Sequence, residues 1–139
     1  MREQAEFRRL IFDHAPGGIA LSTLEHRLIE VNEAFCRMLG YQRDELLQMT
    51  LLQITHPGDL EKTKVTNLRA SEGLAEVPPF EKRYIRKDGS TVHVQVRLGA
   101  IRDAAGAPQY VVSQITDITE RRLVETELVE RQRQLATVL

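Results

Sequence analysis

The residue pair with the clearest chemical potential in this chain is Lys82 with Tyr84. The residue pattern predicts a strand over residues 80–87, and alternate strand residues share a face, so Phe80, Lys82 and Tyr84 lie on one side. An ammonium group beside a phenol hydroxyl can hold a carboxylate or a phosphate group. This strand face is therefore a candidate anion site.

The other reactive side chains favour structural roles. Cys36 is the single cysteine, which excludes an internal disulfide, and it follows Phe35 in a predicted helix, where a small thiol is commonly buried. His56 precedes Pro57 at a predicted helix start, which favours a capping or surface role. The four histidines show no i, i+4 pairing, so we expect no metal site. The sequence contains no Gly-rich phosphate loop, no Gly-x-Ser-x-Gly and no His-Glu-x-x-His, so we expect no catalytic activity from this chain.

Composition and charge narrow the class further. The 139 residues predict one domain, and the net charge of -1, with both signs interspersed, predicts contact with neither nucleic acid nor an anionic membrane. No window approaches the roughly 18 apolar residues of a membrane span, and the N-terminus lacks the apolar run of a signal peptide. We therefore expect a cytoplasmic location.

The first half of the chain reads as short helices and strands. Residues 4–14 form an amphipathic helix with Phe7, Leu10 and Ile11 on one side, ended by the Pro-Gly-Gly at 16–18. Strands are predicted at 19–23 and 27–31, after which Asn32 caps a helix that Gly40 ends. Short helices follow at 44–49 and 57–70. The second of these has an apolar side of Leu60, Val65 and Leu68, and residues 71–73 close it.

The second half reads as a three-stranded meander followed by a helix. Strands are predicted at 80–87, 91–98 and 108–116, with turns at 88–89 and 103–106. The last strand continues without Gly or Pro into a helix from residue 119, and Asp117 with Glu120 resembles a capping box. Apolar residues at heptad spacing in this helix predict a weak coiled coil, interrupted by Arg131: Val124, Leu128, Leu135 and Val138. A strand joined directly to an exit helix suits a signalling module, and we expect the helix to lead into a further domain.

Several strings in this order resemble a PAS domain. They are APGGI at 15–19, VNEAF at 31–35, LGY at 39–41, ITHP at 54–57, RKDG at 86–89 and DITER at 117–121. The resemblance implies an α+β fold, with a five-stranded antiparallel sheet in the order 2-1-5-4-3 and helices on one face. The expected divisions are an N-terminal helix at 1–15, a PAS core at 16–118 and a signalling helix at 119–139. The resemblance also implies a histidine kinase, a diguanylate cyclase or phosphodiesterase, or another PAS copy as the downstream effector in the same chain.

The resemblance places any small-molecule pocket between the sheet and the helices. Its candidate lining is Leu21, Phe35, Met38, Leu52, Lys82, Tyr84, Val94, Val96, Val111, Ser113 and Ile115. This set fits a filled core as well as an apolar ligand wall, and we favour the filled core. The resemblance also implies that the strand of Lys82 is an edge strand of the sheet. At such an edge a lysine blocks pairing with another strand and extends to water, and we favour that role over anion binding.

Some relatives of this type bind flavin or haem, which leaves a cofactor sensor as one alternative, although Cys36 and His56 do not match the expected ligand positions. A scaffold that only dimerises is the other alternative. For the leading interpretation, a sensory and dimerisation module, we expect transmission through Asp117, Ile118, Thr119 and Glu120. We expect a homodimer in which Phe7, Leu10 and Ile11 pack on the outer face of the sheet, either that of the same chain or that of its partner.

Overall fold

The fold is one five-stranded antiparallel sheet in the order β2-β1-β5-β4-β3, with helices on one face. The computed structural model describes residues 2–73 and 76–138. The elements are α1 (Arg2–His14), β1 (Gly18–Thr23), β2 (Leu28–Val31), α2 (Glu33–Leu39), α3 (Arg43–Leu46), 3₁₀ turns at Leu51–Ile54 and Pro57–Asp59, α4 (Leu60–Glu72), β3 (Phe80–Ile85), β4 (Thr91–Arg102), β5 (Pro108–Asp117) and α5 (Thr119–Val138). The predicted fold class and strand order are confirmed. Met1 and Leu139, the first and last residues of the predicted terminal segments, lie outside the described residues. The side chain of Val138, predicted at a heptad position, also lies outside them.

The core lies between the inner face of the sheet and the short helices. Strand alternation brings the valines at 92, 94 and 96 of β4 inward, as the sequence predicts, and they meet Phe35 and Leu39 of α2. Gly18 is required where β1 passes α2, because a Cβ atom there would lie 3.1 Å from Phe35 Cδ1. The apolar interior is thus assembled mainly by α2, the 3₁₀ turn at Leu51–Ile54 and the central strands.

Asn32 is the hub that fixes the start of α2. Its Oδ1 accepts hydrogen bonds from the N–H groups of Phe35 and Ile19, and its Nδ2 donates to the carbonyls of Phe12 and Gly17. The side chain is fully buried, so these bonds replace water for five backbone or amide groups. The predicted cap is confirmed, and it also ties α1 and β1 to the core helix.

The N-terminal helix packs beside α2 and not on its own sheet's outer face. Asp13 accepts a hydrogen bond from Arg43 Nη2 at 2.6 Å, which fixes the C-terminal turn of α1 next to α3. Phe7, Leu10 and Ile11 remain more than half exposed. The expectation that these side chains cover the outer face of the same chain's sheet is therefore wrong, and packing on a partner's sheet stays a prediction.

Helix α4 presents a polar face to the sheet. Val65 and Leu68, on the predicted apolar side, are 46% and 59% exposed. The buried residues are instead Thr63, Asn67, Ala70 and Ser71, which recur at helical spacing. Small polar side chains let α4 lie close to β4 and β5, so the interior at this end of the sheet is polar. Within the described ranges, no helix is long and apolar enough to cross a membrane.

Candidate functional site

Five of the eleven predicted pocket residues meet in one apolar cluster. Phe35, Tyr84, Val94, Val96 and Ile115 are each 1% exposed or less. The rings of Phe35 and Tyr84 meet edge to face with centroids 5.7 Å apart, and burial raises the pKa of the Tyr84 phenol. Val111 and Ser113 are also buried on β5. The described side chains fill this part of the interior in the manner of a packed core.

Three predicted lining residues lie at the margin or outside this cluster. Leu21 lies on the outer face of β1, because the inward positions of this strand are Gly18, Ala20 and Ser22, so its predicted pocket position is wrong. Leu52 is only partly buried, since the 3₁₀ turn directs Leu51 and Ile54 into the core instead. Met38 is partly buried and packs against the core.

Lys82 is the unexpected member of the set. Its side chain is 4% exposed, so the expectation that it extends to water is wrong. The Nζ atom donates to Thr63 Oγ1 at 3.1 Å and to Thr55 Oγ1 at 3.4 Å, and it lies 4.5 Å from the centre of the Tyr84 ring. Burial lowers the pKa of Lys82 to about 7, although the charge of Asp59 opposes this shift. The two threonines, not predicted, hold this ammonium group inside the protein.

The edge of β3 is covered by other groups. Asp59 accepts from the Arg83 N–H at 2.8 Å and from its guanidinium, His56 N–H donates to the Arg83 carbonyl, and Lys62 Nζ donates to the Glu81 carbonyl. Hydrogen bonds from Arg83 lower the pKa of Asp59. These groups bond to the backbone of β3 and so limit its pairing with another strand. Lys82 is not needed for that role.

A charged cleft of about 240 Å³ opens at this edge, and we call it the Lys82 cleft. Its lining is Asp59, Lys62, Glu81, Lys82, Arg83, His93 and Arg122. Burial and the charge of Arg122 lower the pKa of His93. Both the buried ammonium group and a residue of α5 thus belong to the wall of one cleft.

The sheet passes directly into α5 beside this cleft. The backbone carbonyl of His93 in β4 accepts from the Ile118 N–H at 2.8 Å. The backbone N–H of His93 donates to Thr119 Oγ1 at 3.1 Å. Asp117 Oδ1 accepts from the N–H of Thr119, the first residue of α5, at 2.9 Å. Ile118 is buried. These contacts extend the β4–β5 ladder into the first turn of α5, and we call them the junction.

A second contact links α5 to the edge strand. Glu81 of β3 forms ion pairs with Arg121 at 3.2 Å and Arg122 at 3.0 Å. All three side chains are about half exposed, so each pair contributes little by itself. The sequence offered no signal for this contact, because the partners lie about 40 positions apart.

Polar atoms also line the interior beneath α4. Asn67 Nδ2 lies 3.3 Å from His26 Nδ1, and burial followed by the charge of Lys82 lowers the pKa of His26. Ser22 Oγ is buried without a hydrogen-bond partner among the described residues. The recurrence of small polar residues along α4 could have revealed this region in the sequence.

The two residues considered as cofactor ligands have structural partners. His56 Nδ1 accepts from the Gly58 N–H at 3.0 Å, which confirms its capping role. Cys36 is buried in α2, and burial raises the pKa of its thiol. The flavin and haem alternatives gain no support from these two side chains.

The fold is that of small α+β sensory domains, and solved structures share it. A PAS domain of an HTR-like protein from Haloarcula marismortui has a TM-score of 0.69 and 25% identity, over 84% of this chain and 93% of that one. A PAS domain of a protein from Colwellia psychrerythraea has a TM-score of 0.76 and 20% identity, over 84% of this chain and 98% of that one. The family model described as PAS domain matches residues 16–120. The chain belongs to the PAS family.

Its curated relatives are much longer signalling proteins. It is 33% identical over 129 residues to the probable diguanylate cyclase DgcE of Escherichia coli, covering 93% of this chain and 11% of that protein. It is 27% identical over 130 residues to the sensor histidine kinase TmoS of Ectopseudomonas mendocina, covering 94% of this chain and 13% of that protein. The chain is thus homologous to sensory modules of histidine kinases and diguanylate cyclases, and it spans only about a tenth of their length.

Proposed function

We propose that this PAS domain is a sensory and dimerisation module that relays a change in the sheet through the junction to α5. A longer signalling protein, with a histidine kinase or diguanylate cyclase effector, is the context that the relatives support. In this role the chain itself performs no catalysis.

The observation that carries the proposal is the double hydrogen bond of His93 to the start of α5. Its carbonyl accepts from Ile118 and its N–H donates to Thr119, so a shift of β4 moves the first turn of the helix. Asp117 holds the Thr119 N–H, and Glu120 begins the exposed part of the helix. Three of the four residues predicted for transmission, Asp117, Ile118 and Thr119, take part in these hydrogen bonds, which supports the proposal.

Dimerisation is supported by exposed apolar residues on the terminal helices. In addition to Phe7, Leu10 and Ile11 on α1, helix α5 exposes Leu123, Val124, Leu128, Val129 and Leu135. Apolar side chains at these spacings gain stability when a second helix covers them.

The filled apolar core also supports a second candidate function, a scaffold that dimerises without a ligand. A retained ligand in native mass spectrometry would exclude that scaffold, and absorbance near about 400–450 nm would indicate a flavin or haem.

The relay is tested in a fusion of the full chain, through α5, to a diguanylate cyclase catalytic domain. We expect Asp117→Ala to change cyclase output by up to about fivefold, the shift in equilibrium that the roughly 1 kcal/mol of one hydrogen bond allows. Asp103→Ala is the matched control, because Asp103 makes a similar side-chain contact to backbone N–H groups in the β4–β5 turn. Equal output from the two variants and the unmodified fusion would refute the relay.

A further inference from the structure

We propose that the Lys82 cleft binds a small oxyanion, a carboxylate or a phosphate group. Four cationic side chains line the cleft, against two carboxylates. Both carboxylates already have partners: Asp59 binds Arg83, and Glu81 binds Arg121 and Arg122. These pairs also use Arg83 and Arg122, so Lys62 and Lys82 are the cleft cations without an ion pair among the described residues.

Lys82 supplies the specific feature of this site. Within the described residues its ammonium group forms no ion pair, and its hydrogen bonds go to two neutral hydroxyl groups. Each hydroxyl donates its own proton to a carbonyl, Thr55 to Leu51 and Thr63 to Asp59, so both can only accept from Lys82. The threonines thus orient the ammonium group without neutralising it, and they use two of its three N–H donors.

Desolvation gives the driving force for anion binding. The burial of this ammonium group outweighs the opposing effect of the Asp59 charge, and an oxyanion placed against it would form a charge-assisted hydrogen bond. Burial keeps the pKa of Lys82 near 7, so bound anion and bound proton favour each other. His93 and Lys62 on the same wall add donors or positive charge, and the cleft volume of about 240 Å³ restricts the anion to a small group.

The site also touches the output helix. Arg122 of α5 lines the cleft while it pairs with Glu81 at 3.0 Å. An anion that attracts Arg122 would weaken this pair and shift the first turn of α5. This consequence rests on the relay proposed above, whereas the binding itself does not.

Binding is tested on the full chain by thermal unfolding in sodium phosphate, sodium succinate or sodium chloride at equal ionic strength. At about ten times the dissociation constant we expect phosphate or succinate, or both, to raise Tm by about 5 °C over chloride. The arm that responds identifies the anion as phosphate or carboxylate. Lys82→Met should lose the rise, and Lys64→Met, which removes a half-exposed lysine of α4, should keep it.

Two results would overturn the proposal. One is the absence of a rise in wild type with both anions up to about 20 mM. The other is a rise in Lys82→Met that exceeds half of the wild-type value, which would place the anion elsewhere. Because Tm is measured without any effector, a failure here leaves the relay through the junction intact, and a failed fusion experiment leaves this site intact.

Discussion

Replacing Lys82 by Met should stabilise the protein at neutral and mildly acidic pH. The folded pKa is about 7 and the ordinary value is 10.5, so the folded state binds the proton more weakly than the unfolded state does. Below pH 7 both states are protonated, and burial of the charge costs about 4–5 kcal/mol, at 1.36 kcal/mol per pKa unit. The cost decreases as pH rises from 7 and vanishes above about pH 10.5.

The substitution should remove both this cost and its pH dependence. Thr55 and Thr63 keep their own donors satisfied in Lys82→Met, since their hydroxyl protons bond to carbonyls. The difference in unfolding free energy between variant and wild type should therefore fall by about 2–3 kcal/mol from pH 6 to pH 9. The pKa of about 7 already reflects the charged groups that face Lys82, since Asp59 raises it and Lys62 lowers it.

Urea unfolding at pH 6, 7, 8 and 9 measures this difference, with Lys64→Met as the control. Lys64 is half exposed and pairs with Glu61, so its replacement should shift stability by less than about 0.5 kcal/mol at every pH. A Lys82→Met curve that runs parallel to wild type across this range would show that the ammonium group is solvated, and would refute the burial argument.

Two further predictions address the hub and the dimer. Asn32→Ala should lower the free energy of unfolding, measured in urea, by about 3 kcal/mol, because four hydrogen bonds are lost at a buried site. Asn67→Ala, which removes one contact to His26, should lower it by about 1 kcal/mol. Equal losses would contradict the hub role of Asn32. If α1 contributes to a dimer, Phe7→Asp should halve the mass seen by light scattering while Tm changes little, and an unchanged dimer would exclude that surface.

The sequence predicted the architecture well because its signals were local. The valine alternation of β4, the Asn32 cap and the left-handed Gly40 each depend on a few neighbouring residues, and all three appear in the structure. Together with the order of the elements along the chain and the strings that resemble a PAS domain, these signals were sufficient to predict the PAS fold.

The candidate site was predicted less well because it depends on distant partners. Lys82 was expected to reach water, and its burial follows from Thr55 and Thr63, which lie 27 and 19 positions away. Leu21 was predicted on the wrong face of β1. The inward positions of this strand are the small residues Gly18, Ala20 and Ser22, so the pattern of apolar residues does not show which face is buried. Inward positions set by close packing against α2 cannot be read from hydrophobicity alone.

The central claim is that β4 and the start of α5 form one cooperative unit. Amide hydrogen exchange by NMR in wild type and Asp117→Ala tests it directly, through the N–H groups of His93, Ile118 and Thr119. The account predicts that protection of all three falls together, by about fivefold for a loss of 1 kcal/mol. Loss of protection at Thr119 alone, with His93 and Ile118 unchanged, would contradict it.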